Sequence, residues 1–224
     1  FPDNITFLVS VSIVFIFHKK TYQYKDYFLL GFLLILGMLN HFFQFSMIVL
    51  LLTIIKLTRD ELNRKNILFS ILISYILSGV LFFILIKFYS VGYNLYRLKI
   101  AKLVIGDEFI RLNATDLGLS IFSLFHGLFP FVLYTLSRSK YIYSILILFC
   151  VIITSITYDT TRVFALLSMP IMLYCILDSW SLYKNLEKRI ILGLSLLSPL
   201  LMYSYPLFYK WNGKIIFLNG KVLN

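Results

Sequence analysis

The chain is 224 residues long, 60% hydrophobic and only 14% charged, with a formal net charge of +11. A soluble globular domain is typically about 45–50% apolar and about 25% charged, so a mean hydropathy of +0.87 excludes that class. The basic residues fall between apolar runs rather than along one patch, which excludes nucleic acid as a partner and makes them reporters of topology. The runs are continuous, as from Ile67 to Ile86, whereas β-barrel strands alternate apolar and polar residues in segments of about ten. The composition predicts an all-α fold, a polytopic transmembrane helical bundle of about seven or eight membrane segments that includes a short helical hairpin.

The first expected span is Ile5 to Phe17, closed by His18-Lys19-Lys20. No methionine, basic n-region or cleavage site precedes it, so a signal peptide is not expected. The chain is read as one transmembrane domain, 1–224, forming the C-terminal part of a longer protein. Next comes Tyr27 to Ile55, apolar except at Asn40-His41 and Gln44. That run is too long for one upright helix at 1.5 Å per residue. Two short helices meeting at Asn40-His41 are expected, with one long tilted helix as the competing reading.

After a charged connector, Ile67 to Phe88 is the cleanest span. The long polar segment Tyr89 to Asp116 follows, in which Tyr93, Tyr96, Ile100 and Leu103 approximate the stripe of a surface-lying helix. The remaining spans are expected at Leu117–Leu136, Tyr141–Thr157, Val163–Leu177 and Ile190–Tyr205. Pro130, Pro170 and Pro199 fall within them, which membrane helices tolerate because neighbouring groups satisfy the freed backbone. Cys150 and Cys175 sit in apolar runs and form no metal-ligand spacing, so no metal is expected.

Charge bookkeeping decides the topology. With a hairpin at Tyr27–Ile55, the connectors 18–26, 56–66, 137–140 and 178–189 share one face and hold 3, 4, 2 and 3 basic residues. Short basic connectors favour the cytoplasmic side. The opposite face then receives Asn40, His41 and Gln44; the segment carrying Arg97, Lys99, Lys102 and Arg111; and the polar knot Asp159-Thr160-Thr161-Arg162. Basic residues there run against the usual bias, and an anionic lipid head group would account for them. Arginine binds phosphate bidentately and lysine supplies a point charge. Arg162 is the first candidate, with Thr161, Arg97, Lys99 and Arg111 assisting; the plainer reading pairs Arg162 with Asp159 to order a turn. Asp159 is read as a helix cap or a general base. His41 is a candidate acid or base, because histidine titrates near neutral pH without perturbation; the plainer reading is a hydrogen-bonding residue at a hairpin tip. His126 is read as an interhelical hydrogen-bonding group, and Tyr203, Tyr205 and Trp211 as an interfacial aromatic belt.

Walker-type, His-Glu-x-x-His and Gly-x-Ser-x-Gly motifs are absent from the sequence, so nucleotide-driven chemistry within it is not expected. The run Gly37-Met38-Leu39-Asn40-His41-Phe42-Phe43-Gln44-Phe45-Ser46 resembles the short helix pair with a central histidine of bacterial Wzy/EpsG-type polysaccharide polymerases and related polytopic glycosyltransferases. Asp159-Thr160-Thr161-Arg162 before an apolar span is similar to an outward-facing arginine in that group. The resemblance implies a multi-pass protein of the bacterial cytoplasmic (inner) membrane that polymerises surface polysaccharide (O-antigen, capsule or exopolysaccharide). It also implies a polyprenyl-diphosphate-linked glycan as substrate, membrane lipids and polysaccharide-assembly proteins as partners, and no cofactor. A transporter or flippase for an anionic lipid-linked substrate, or a non-catalytic membrane subunit, remains open alongside it.

Overall fold

In the computed structural model, residues 2–59, 64–89, 129–154, 160–193, 208–211, 214–217 and 222–223 are described. Helices α1 (Pro2–His18), α2 (Tyr24–Arg59), α3 (Arg64–Tyr89), α4 (Phe129–Ser137), α5 (Tyr141–Thr154), α6 (Thr160–Ser179) and α7 (185–193) precede three strands. The strands are β1 (Phe208–Trp211), β2 (Lys214–Phe217) and β3 (Val222–Leu223). The chain forms two compact units: Phe1–Tyr96 with Met169–Tyr174, and Arg97–Ser168 with Cys175–Asn224.

In the first unit, α2 is two helical arms joined at His41, where φ is −151° and ψ is 72°. The break is a reversal rather than a bend. A straight helix would hold Lys56 about 48 Å from Tyr24. Instead, Lys56 Nζ donates to the Lys19 carbonyl oxygen at 3.1 Å and lies 5.0 Å from the Tyr22 ring centroid, at the foot of the first arm. Near the tip, the Phe45 ring occupies the space that a Cβ on Gly37 would fill. Those two residues would stand about 12 Å apart along an unbroken helix. Residue 37 must therefore lack a side chain for the arms to close.

Each element buries one stripe. On α1 it is Thr6, Ser10, Ile13, Val14 and Phe17; on the first arm, Asp26, Leu30, Leu34 and Met38; on the second, Phe45, Ile48, Leu52 and Ile55. These follow the three-to-four residue spacing of one helix face. The α3 stripe is Ile67, Ile71, Ser74 and Ser78, while Leu68, Phe69, Leu72, Ile76 and Phe83 are exposed. The covered face of α3 is thus more polar and smaller than its open face. Hydrocarbon as solvent demands that inversion, and small residues allow close helix approach. The Ser74 hydroxyl oxygen lies 3.6 Å from where a Gly31 Cβ would stand.

By length and composition, three described helical stretches are long and apolar enough to cross a membrane: Tyr24–Thr58, which His41 divides into two arms, Lys65–Leu85 and Val163–Leu182. The chain is a helical membrane protein. Observed helix ends differ modestly from the expected ones: α3 spans Arg64–Tyr89 rather than Ile67–Phe88, and α6 starts at Thr160 rather than Val163. Of the expected spans Leu117–Leu136 and Ile190–Tyr205, the described helices cover Phe129–Ser137 and 185–193. The segment Tyr89–Asp116 lies, but for Tyr89, outside the described residues, as do His126, Tyr203 and Tyr205.

The all-α expectation holds through residue 193 among the described residues and gives way at the C-terminal end to an antiparallel sheet ordered β1-β2-β3. Trp211 pairs with Lys214 across the first turn and Phe208 with Phe217, while Ile216 pairs with Val222. The sequence between those partners reads Asn212-Gly213, the pair best suited to a two-residue hairpin loop.

The Gly37–Phe45 contact generates a prediction. Gly37→Ala forces the fully buried Phe45 ring to move and lowers stability by about 1–3 kcal/mol, as overpacked cores do. Thermal unfolding in detergent measures it, and adding Phe45→Leu to Gly37→Ala restores part of the loss.

Candidate functional site

Among the sequence-predicted site residues, His41 lies within the described part of the first unit. It stands at the tip of the α2 reversal, preceded by Asn40, whose Nδ2 donates to Thr6 Oγ1 at 2.9 Å. Thr6 is fully buried, so this bond ties the start of α1 to the tip. Gln44 lies one turn into the second arm, and its Nε2 is buried without a hydrogen-bond partner among the described residues. An amide, an imidazole and a second amide therefore gather where the helix is interrupted. Ser46 Oγ and Ser78 Oγ are likewise buried and unpaired among the described residues. By contrast Ser10, Ser70, Ser74, Thr53 and Thr154 each donate to the carbonyl four residues earlier.

In the second unit, Thr161 and Arg162 fall in the first turn of α6. Asp159, Arg97, Lys99 and Arg111 lie outside the described residues. The first turn of a helix carries the positive end of its backbone dipole. From Arg162 to Asp178 is about 24 Å along the helix, which sets the two residues at opposite ends.

Further polar networks among the described residues lie at the ends that carry the basic connectors. At the foot of the first unit, Asp26 accepts from the Gln23 backbone N–H at 2.9 Å and pairs with Lys19 at 2.5 Å. In the second unit, Glu187 accepts from the Lys184 N–H at 2.7 Å and from the Tyr134 hydroxyl at 2.5 Å. Each carboxylate sits three residues after the residue whose N–H it accepts, the returning half of a capping box. Tyr143 OH donates to Asp178 Oδ2 at 2.9 Å, joining the start of α5 to the end of α6. The Arg138 guanidinium lies 5.6 Å from the Tyr134 ring, and Lys188 Nζ lies 5.6 Å from the Trp180 ring. Connectors 18–26 and 56–66 thus meet within the first unit, and 137–140 and 178–189 meet within the second.

Sequence reasoning passed over Asp26 and Glu187 as capping groups, although an acidic residue three places after a connector's end, ahead of an apolar run, is the known signal. Among the described residues no group of three His, Cys, Asp or Glu side chains is gathered to hold a metal ion. Comparison with family models, curated proteins and solved structures finds no match.

Glu187 supplies a pH test. The Tyr134 hydroxyl, then the Lys184 N–H, hold its carboxyl below the usual carboxylate range, while burial opposes them weakly. A depressed carboxylate contributes stability that is present above its unfolded value of about 4.3 and lost as pH falls through the folded value. Glu187→Gln should therefore lower the unfolding temperature at pH 7, and the difference from wild type should close below about pH 4. Paired thermal melts across that range measure it.

Proposed function

We propose that the protein is a membrane glycosyltransferase or polymerase of surface polysaccharide, acting at the outer face of the bacterial cytoplasmic membrane on a polyprenyl-diphosphate-linked glycan. The observation that carries the reading is the reversal of α2 at His41. It gathers the basic connectors 18–26 and 56–66 at one end of the first unit and leaves Asn40, His41 and Gln44 at the other. The positive-inside rule assigns the basic end to the cytoplasm and the tip to the outside. Applied separately to the second unit, the same rule assigns the Arg138 and Lys188 end to the cytoplasm and the Arg162 end to the outside. The full bundle, in this reading, has about seven or eight membrane segments.

On that topology the chemistry is phosphate recognition outside the cell, without a nucleotide. Arg162 grips the diphosphate with two parallel N–H···O bonds, supported by Thr161 and by Arg97, Lys99 and Arg111. As the sugar's anomeric C–O bond breaks, negative charge grows on the departing diphosphate, and fixed cations stabilise that change. Asp159, in the same unit as Arg162, takes the proton of the attacking sugar hydroxyl. Gln44 Nε2, buried beside the interrupted helix without a hydrogen-bond partner among the described residues, supports a functional role for the tip, since unpaired buried polar groups are retained at a stability cost.

The test uses the intact gene in its host with Arg162→Ala and Arg162→Lys, each variant first verified in the membrane. Long-chain surface polysaccharide should fall about a hundredfold in Arg162→Ala, with lipid-linked repeats accumulating on the outer leaflet. Arg162→Lys should recover only part, because lysine lacks the bidentate fork. Repeats trapped on the inner leaflet would instead identify a flippase. Normal polymer in both variants would assign Arg162 to a structural turn and remove the basis for an enzyme.

A further inference from the structure

The basic end of the second unit treats its acids and its bases differently. Connectors 137–140 and 178–189 hold Arg138, Lys140, Lys184, Lys188 and Arg189 against two acids, Asp178 and Glu187. The acids are half-buried and bonded within the fold. Glu187 accepts from the Tyr134 hydroxyl with one carboxylate oxygen and from the Lys184 N–H with the other, and Asp178 Oδ2 accepts from Tyr143 OH. The one salt bridge among the described residues joins Lys19 to Asp26 in the first unit. The five cations therefore form no salt bridge among the described residues, and all but the half-buried Lys188 are exposed.

Two of these cations are also held in place. The Arg138 guanidinium lies 5.6 Å from the Tyr134 ring and Lys188 Nζ lies 5.6 Å from the Trp180 ring. Because Tyr134 is bonded to Glu187, the residue before Lys188, they project from connectors that are already joined. Basic side chains that lay their stems along aromatic rings keep their heads at the membrane edge. Beside them the surface turns apolar at once. Leu186, Arg189, Ile190 and Gly193 follow the spacing of one face of α7. Leu186 is 69% and Ile190 51% exposed, and a Cβ on Gly193 would meet open space. An acidic protein or a nucleic acid would match the cations and leave that stripe uncovered. A phospholipid matches both, with a phosphate for the cations and an acyl chain for the stripe.

We propose that this end of the second unit is a binding site for an anionic phospholipid of the bilayer, its head group among the cations of the two connectors and an acyl chain along the Leu186–Ile190 face of α7. The inference stands on charge and exposure at this end. It uses none of the residues assigned to the diphosphate and does not depend on the glycosyltransferase reading.

Trp180, beside Lys188, is the reporter. Trp211→Phe leaves it as the one tryptophan of the chain. The protein is reconstituted in mixed vesicles of phosphatidylcholine and phosphatidylglycerol, with one or the other brominated on its acyl chains. Brominated phosphatidylglycerol should quench Trp180 at a relative affinity at least about fivefold that of brominated phosphatidylcholine, the effect of one cation near an anionic surface. Arg138→Gln, Lys188→Gln and Arg189→Gln together should remove the preference, the ratio being taken within each variant so that altered Trp180 emission cancels. Salt at about 0.5 M should weaken the preference with no cation replaced, which keeps the test independent of how the variant folds. Equal quenching by the two lipids would overturn the proposal. No quenching by either would overturn it by showing this end covered by protein. A preference that survives the three substitutions would overturn the assignment to these cations. Full displacement by millimolar inorganic phosphate would overturn the lipid in favour of a soluble anion.

Discussion

Lys56 is buried at the end of an apolar helix, with its Nζ in contact with the Lys19 carbonyl and the Tyr22 ring. That contact exists only because the chain turns back at His41, and most of the first unit follows from it. The reversal returns the second arm along the first, and the Asp26, Leu30, Leu34, Met38 stripe and the Phe45, Ile48, Leu52, Ile55 stripe are both buried within the unit. It fixes the levels at which α3 packs, with Tyr75 OH donating to the Ser46 carbonyl at 3.2 Å and the Phe42 and Phe82 rings stacked at 5.7 Å. Tyr174, fully buried, closes the foot by donating to the Phe17 carbonyl at 3.1 Å. A lysine placed so deeply is stable only where its stem packs on apolar surface and its head meets polar atoms at the membrane edge.

The two units repeat one solution at their basic ends. A carboxylate at the third helical position, Asp26 or Glu187, caps its own helix and also holds a neighbour, Lys19 or Tyr134. Connectors that would otherwise be loose charged loops are thereby tied to the helix starts. At the first unit's tip the helix geometry is broken, Asn40 closes onto Thr6, and Gln44 Nε2 is buried without a hydrogen-bond partner among the described residues.

Much of this was legible in the sequence. The reversal announced itself as polar residues inside an apolar run too long for one span, and charge bookkeeping chose the hairpin over the tilted helix. What the sequence did not reveal was the device that closes the arms, because Gly37 and Phe45 are eight residues apart and meet only once the helix is broken. The serine-lined face of α3 was hidden for a related reason: in a span apolar on every side, hydropathy alone does not mark the covered side. The C-terminal strands escaped because Phe208 to Phe217 reads as an apolar tail after a predicted span. The Asn212-Gly213 pair between two short runs was the available signal. For α6, a helix start three residues earlier than expected moves Thr161 and Arg162 from a connector into a first turn, next to the backbone dipole that an anion would share.

The central claim is that the chain between Lys20 and Lys65 crosses to the tip and back, so both ends lie on one side. Single-cysteine labelling of Lys20→Cys, His41→Cys and Lys65→Cys in intact cells, with a maleimide that does not cross the cytoplasmic membrane, tests it most directly. Cys150 and Cys175 are buried, so background reaction is low. The account predicts that the cysteine at 41 reacts from outside while those at 20 and 65 react only after the membrane is opened. Reaction from outside at one of 20 and 65 but not the other would mean a single crossing between them, and the shared basic end, with the outer-face site built on it, would be wrong.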